Sequence, residues 1–139
     1  MAGYSGTPLV QKLGVKAGHK VSLIKAPAGF RQELGALPDQ ARFSGAANGP
    51  LDVVLLFVKS RGELEAQFGD LAKRLASAGM LWVAWPKKAS GVATDLTENV
   101  VREIGLEGGL VDIKVCAVDE VWSGLKFVIR LKDRPKAAR

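Results

Sequence analysis

Cysteine and histidine each occur only once in the 139 residues, and each shortage closes off a class of chemistry. With Cys116 alone, no intramolecular disulfide and no cysteine-only metal cluster can form, and a reducing, cytoplasmic setting is expected. Adding His19 still leaves too few ligands for a zinc site of the usual Cys and His type. Long apolar runs are missing too: VVLLFV is far shorter than the roughly 20 residues that cross a bilayer. The opening residues, MAGYSGTPLV, have neither the cationic nor the long apolar region of a signal peptide, so a soluble protein is expected. Acidic residues are also in deficit. Twenty Lys and Arg face 14 Asp and Glu, giving a formal charge of +6 and a pI near 9.7. An anionic partner is therefore expected, whether nucleotide, metabolite, nucleic acid or acidic protein.

What is there is an alternation of short apolar runs with amphipathic helical patterns, the signature of an α/β chain. TPLVQKLG offers Thr7 as a cap, Pro8 for the first helical position and Gly14 as a stop. KVSLIKAP reads as the first strand, and AGFRQELGALP as a helix with Phe30, Leu34 and Leu37 on one face. ARFSGA is a candidate second strand, although AANGP leaves little room for a parallel crossover before the next one. DVVLLFV is apolar on both faces, as a central parallel strand should be. Ser60 and Glu63 form a capping box for a helix with the stripe Leu64, Phe68, Leu71 and Leu75, and Gly79 stands beyond its end. MLWVAWP is the next buried strand, with Trp82 and Trp85 in the core, and Asp95 with Glu98 has the spacing of a second capping box. DIKVCAVD and LKFVIRLK, joined by EVWSG, should close the sheet as an antiparallel hairpin. The expectation is a Rossmann-like, mostly parallel sheet of five to six strands with helices on both faces, its last strand antiparallel. It forms a single domain over residues 1–132, followed by a short basic tail over 133–139.

Four stretches, YSGTPL, DVVLLFV, LWVAWPKKASGVATDLTENVVREIG and VDIKVCAVDEVWSGLKFV, together resemble the bacterial family catalogued as domain of unknown function 3052. That resemblance implies no activity. The order of elements also resembles a shortened class I methyltransferase, in which the final strand turns antiparallel and slips in beside its neighbour. This second resemblance concerns topology and does not carry function over. A cofactor-binding chain of that kind places a glycine-rich loop after the first strand and an acidic residue after the second. Here the first strand runs into KAPAGF, with the single glycine Gly29, and RFSGAAN offers no carboxylate. Adenosylmethionine and NAD are therefore disfavoured on sequence alone. There is no P-loop, His19 precedes the first strand at the end away from ligands, and Cys116 falls within an apolar strand as an inert thiol.

The remaining signal is geometric. In open parallel sheets, ligands bind outside the carboxyl ends of the strands. The first strand leaves with Lys25, the third with Lys59 and the fourth with Lys87 and Lys88, followed by Ser90 and Thr94. The hairpin turn adds Asp119, Trp122 and Ser123, and the leading residues Tyr4, Ser5 and Thr7 should return to the same rim. Capping explains Thr7 and Asp95 equally well, and a hairpin turn explains Glu120. Three readings follow. The first is a binding or regulatory module for a small anion, such as a nucleotide or phosphorylated metabolite. The alternative is an enzyme on a degenerate methyltransferase-like scaffold, with Asp119 or Glu120 as a base and a rim lysine as electrophilic stabiliser. The third is nucleic-acid binding, which the net charge supports and the lack of a recognition motif does not. A protein partner is also compatible with the charge.

Overall fold

The computed structural model describes residues 7–45 and 49–134. Six strands form one sheet: β1 (Lys20–Ile24), β2 (Arg42–Phe43), β3 (Leu51–Phe57), β4 (Leu75–Pro86), β5 (Leu110–Ala117) and β6 (Trp122–Ile129). Their spatial order is β2-β1-β3-β4-β6-β5. The pairs β2–β1, β1–β3 and β3–β4 are parallel, and β6 runs antiparallel to both of its neighbours. The sheet is thus the expected mostly parallel one, with the last strand inserted between β4 and β5.

Helices α1 (Leu9–Lys12) and α2 (Phe30–Leu34) cover one face, where Val10, Leu13, Phe30 and Leu34 pack with Val53, Leu55, Phe57 and Trp82. Helices α3 (Arg61–Lys73) and α4 (Glu98–Glu107) cover the other, where Leu64, Phe68, Val101 and Ile104 pack with Val54, Leu56, Val83 and Trp85. The two apolar sets alternate along β3 and β4, so these strands are buried on both sides and form the centre of the molecule. Trp82 belongs to the core, and its indole N–H donates to the Leu13 carbonyl at 2.9 Å, tying α1 to β4.

Several local readings need correction. β2 pairs only with Lys20 and Val21, at the start of β1. β2 is only two residues long and lies level with the start of β1, and β3 begins at Leu51. α3 ends at Lys73, so Leu75 lies on β4 rather than on the helix. Leu51 pairs with Leu75 and Val53 with Met80, so residues 76–79 form a bulge within β4. Gly79 is needed there because a Cβ would approach the Leu51 carbonyl oxygen to 2.6 Å; it does not terminate a helix. The cap of α4 is Thr97, whose hydroxyl accepts from Val100 N–H at 3.2 Å, and not Asp95. Asp95 instead accepts from Arg61 N–H at 2.7 Å and so serves the first turn of α3. The box at Ser60 and Glu63 is present, with Ser60 Oγ accepting from Glu63 N–H at 3.1 Å.

Among the described residues, no helix is long and apolar enough to cross a membrane.

Candidate functional site

Strands β1, β3, β4 and β5 all run in one direction, so their carboxyl ends meet at one rim, from which β6 departs. Lys25 follows β1, Lys59 follows β3, and Lys87 and Lys88 follow β4. These cations divide between two pockets, Lys25 and Lys59 in one and Lys87 and Lys88 in the other. Adjacent residues of a strand face opposite sides of the sheet, and the first two residues of β6 make the division visible. Trp122 packs with the α1/α2 face, while Ser123 lines a cavity on the α3/α4 face.

On the α1/α2 face, a crevice of about 240 Å³ opens between the ends of β1 and β3. Lys25, Pro27, Phe57, Lys59, Glu63 and Trp122 line it. Trp122 is only 8% exposed and meets Phe57 edge-to-face, with ring centroids 5.0 Å apart, so it is both core and wall. Glu63 supplies the one acidic group of the crevice. It accepts from Lys59 N–H at 2.8 Å and pairs with Lys25 at 3.5 Å. The Lys59 N–H, and after it the Lys25 charge, hold the carboxyl below its usual range. Lys25 itself adopts φ 60°, and Gly29 follows at φ 84°. The loop after β1 therefore turns through two left-handed residues, one of them a lysine standing where glycine is the usual choice. A second cavity on this face, of about 300 Å³, lies beside β1 and β2 and is lined by Leu23, Arg31, Phe43 and Ser44. The Arg31 guanidinium stacks 3.9 Å above the Phe43 ring.

On the opposite face, a larger cavity of about 610 Å³ lies between the end of β4 and the loop leading to α4. Its walls include Trp85, Pro86, Val92 and Leu96, with Lys87 and Lys88 among the lining cations. Ser90 and Thr94 do not offer free hydroxyls to a ligand there; they shape the loop. Ser90 Oγ donates to the Lys87 carbonyl at 2.7 Å and accepts from Val92 N–H. Thr94 Oγ1 donates to the Lys59 carbonyl at 2.6 Å and accepts from Leu96 N–H, pinning this loop to the end of β3.

Asp119 is used in the turn between β5 and β6. Its Oδ1 accepts both the Val121 and the Trp122 N–H at 2.8 Å, which fixes where Trp122 enters the crevice. Thr7 is exposed just before α1, while Tyr4 and Ser5 lie outside the described residues, as do positions 135–139 of the tail. Sequence reasoning located Lys25, Lys59 and Trp122 but missed their neighbours Phe57 and Glu63. For Glu63 a signal existed: an acid in the first turn of the helix that follows a central strand is carried to the rim. Among the described residues, no cluster of His, Cys, Asp and Glu could hold a metal ion.

No family model and no curated protein matches the chain. Solved structures do match, and what they share is the fold. The magnesium protoporphyrin IX methyltransferase of Synechocystis PCC 6803, solved with bound SAM, is 16% identical with a TM-score of 0.58, covering 87% of this chain and 74% of that one. The precorrin-6y C5,15-methyltransferase of Geobacter metallireducens GS-15 is 12% identical with a TM-score of 0.63, covering 87% and 85%. Aeropyrum pernix fibrillarin, solved with natively bound S-adenosyl-L-methionine, is 13% identical with a TM-score of 0.59, covering 91% and 70%. The expectation that adenosylmethionine is disfavoured is thereby corrected: chains of this fold bind it, and the left-handed pair Lys25 and Gly29 gives the loop after β1 a sharp turn without a glycine-rich sequence. The chain has a methyltransferase-related Rossmann-like fold, with the antiparallel last strand of the class I methyltransferases.

Proposed function

We propose that this chain is an enzyme on a class I methyltransferase scaffold and that it takes adenosylmethionine, or its product adenosylhomocysteine, in the crevice between β1 and β3. The observation that carries the proposal is the chemistry of the crevice walls. Two cations, Lys25 and Lys59, and one anion, Glu63, line the crevice together with the buried aromatic pair Phe57 and Trp122. The amino-acid end of the cofactor is a zwitterion. Its carboxylate suits the lysines, its ammonium suits Glu63, and a sulfonium is favoured against aromatic rings. When bound, adenosylmethionine supplies an electrophilic methyl group. The protein's part is to orient that end, to exclude water with Trp122 and Phe57, and to hold Trp122 through the Asp119 turn. The ribose has no carboxylate partner after β2, where Ser44 and Arg31 stand instead.

Calorimetric titration with adenosylmethionine and adenosylhomocysteine tests this reading. At least one is expected to bind, and Lys59→Ala and Glu63→Gln are each expected to weaken it about tenfold, or ~1.4 kcal/mol. If neither compound binds the folded wild-type protein, the proposal fails.

A second reading, that the rim holds a small phosphorylated ligand, is favoured by a separate observation. Among the described residues, Lys87 and Lys88 form no ion pair, although they sit beside the largest of these cavities. Binding of inorganic phosphate that is lost in the Lys87→Ala, Lys88→Ala double variant would support it. Binding indifferent to that change would remove it.

A further inference from the structure

The cavity beside β4 differs from the cofactor crevice in face, size and chemistry. It opens on the α3/α4 side, its volume of about 610 Å³ falls in the usual range of small-molecule sites, and its walls are largely apolar. Trp85, Pro86, Val92 and Leu96 contribute the apolar surface, and Lys87 and Lys88 contribute cations. Glu98, the acid that also lines the cavity, is committed to Arg102 in an ion pair within α4. The loop that closes the cavity is held by the internal bonds of Ser90 and Thr94, so the cavity is built into the resting structure. A bare inorganic anion would satisfy the lysines and leave the apolar walls in contact with water.

We infer that this cavity is a second ligand site, on the face of the sheet opposite the cofactor crevice, and that it takes an organic anion with an apolar body, such as an aromatic phosphate or carboxylate. The apolar body lies against Trp85, Val92 and Leu96, and the anionic group meets Lys87 and Lys88. This inference rests on the small-anion reading and adds to it the shape and class of the ligand. Burial of the ring removes apolar surface from water, so the ring adds affinity that the charge alone does not supply.

The test is calorimetric titration of the full chain with phenyl phosphate and, separately, with inorganic phosphate. Phenyl phosphate is expected to bind at least about tenfold more tightly. The Lys87→Ala, Lys88→Ala double variant is expected to weaken it by about tenfold, and Ala93→Trp, which fills the cavity, to weaken it similarly while leaving inorganic phosphate within about twofold. Circular dichroism checks that each variant is folded. If phenyl phosphate and inorganic phosphate bind equally, the inference is overturned while the small-anion reading stands. If neither binds, both fall. Phenyl phosphate binding that survives both cavity variants also overturns the inference, because the ligand is then held elsewhere.

Discussion

The ammonium of Lys25 lies 3.5 Å from one carboxylate oxygen of Glu63, while the other oxygen accepts the Lys59 N–H at 2.8 Å. One side chain on the first turn of α3 thereby joins the ends of β1 and β3, the two strands that border the proposed cofactor crevice. The carboxyl is held below its usual range by the Lys59 N–H first and by Lys25 second. A carboxyl whose folded value is depressed stabilises the fold above its unfolded value of about 4.3, and that contribution disappears as the pH falls through the folded value. The Lys25 and Glu63 side chains are 47% and 39% exposed, so solvent screens the pair and the effect is small, about 0.5 kcal/mol. Thermal melts of wild type and Glu63→Gln should therefore differ slightly at neutral pH and converge at strongly acid pH. A difference that persists in acid would show that Glu63 acts by packing and not by charge.

Thr94 is expected to matter more for stability than its partial exposure suggests. Its hydroxyl both donates to the Lys59 carbonyl and accepts from Leu96 N–H, so two backbone groups from different segments depend on it. Thr94→Val keeps the shape and removes both bonds, at a cost of about 1–2 kcal/mol. Thr94→Ser retains the hydroxyl and should recover most of that loss. Chemical denaturation of the three proteins measures the difference, and equal midpoints for Val and Ser would rule out a role for the hydroxyl.

The central part of this fold is legible in the sequence because β3 and β4 are buried on both faces, which leaves an unbroken apolar run that few other structures tolerate. The cap at Ser60 is legible for the same local reason: hydroxyl, acid and helix lie within four residues. At α4 the local signal divides. Asp95 and Thr97 are both good caps, and Asp95 loses because Arg61 N–H, distant in sequence, captures its carboxylate. The bulge at 76–79 reads as helix because Ala is a strong helix former and extends the apolar stripe that ends at Leu75, and only the pairing of Leu51 with Leu75 reveals the strand. The cations at the rim follow from strand direction alone, which is why Lys25, Lys59 and Lys87 could be placed. Their separation into two cavities on opposite faces depends on side-chain parity at the start of β6, which requires the register of β4 and β6. The left-handed Lys25 carries no sequence signal at all, since glycine is what such a turn ordinarily shows.

Cys116 should react slowly with alkylating reagents. Burial raises its thiol above the ordinary cysteine value, and the nearby Lys12, Lys114 and Lys126 offset this only in part. Because the thiolate is the nucleophile, the rate at neutral pH falls below that of a free thiol and climbs steeply only in alkali. Iodoacetamide labelling followed by mass spectrometry gives the rate, and unfolding in guanidinium should restore that of an ordinary thiol. Fast labelling of the folded protein at neutral pH would mean that the three lysines outweigh burial.

Gly105 sets how closely α4 approaches the sheet. A Cβ at this position would overlap the ring of Phe127, which is fully buried and packs edge-to-face with Phe68 at 5.4 Å between ring centroids. In the middle of a helix, Gly→Ala ordinarily stabilises by roughly 0.5–1 kcal/mol, because alanine loses less backbone entropy on folding. Here the overlap outweighs that gain. Either α4 moves away from β6 or Phe127 leaves its rotamer, and overpacking of this kind typically costs about 1–3 kcal/mol. Gly105→Ala should therefore lower the melting temperature, contrary to the helix-propensity trend. The double variant Gly105→Ala, Phe127→Leu should recover part of the loss relative to Phe127→Leu alone, because the smaller side chain makes room for the methyl group. Chemical denaturation of all four proteins closes this cycle. A stabilising Gly105→Ala would mean that α4 sits further from the sheet in solution, and with it the loop that walls the cavity beside β4.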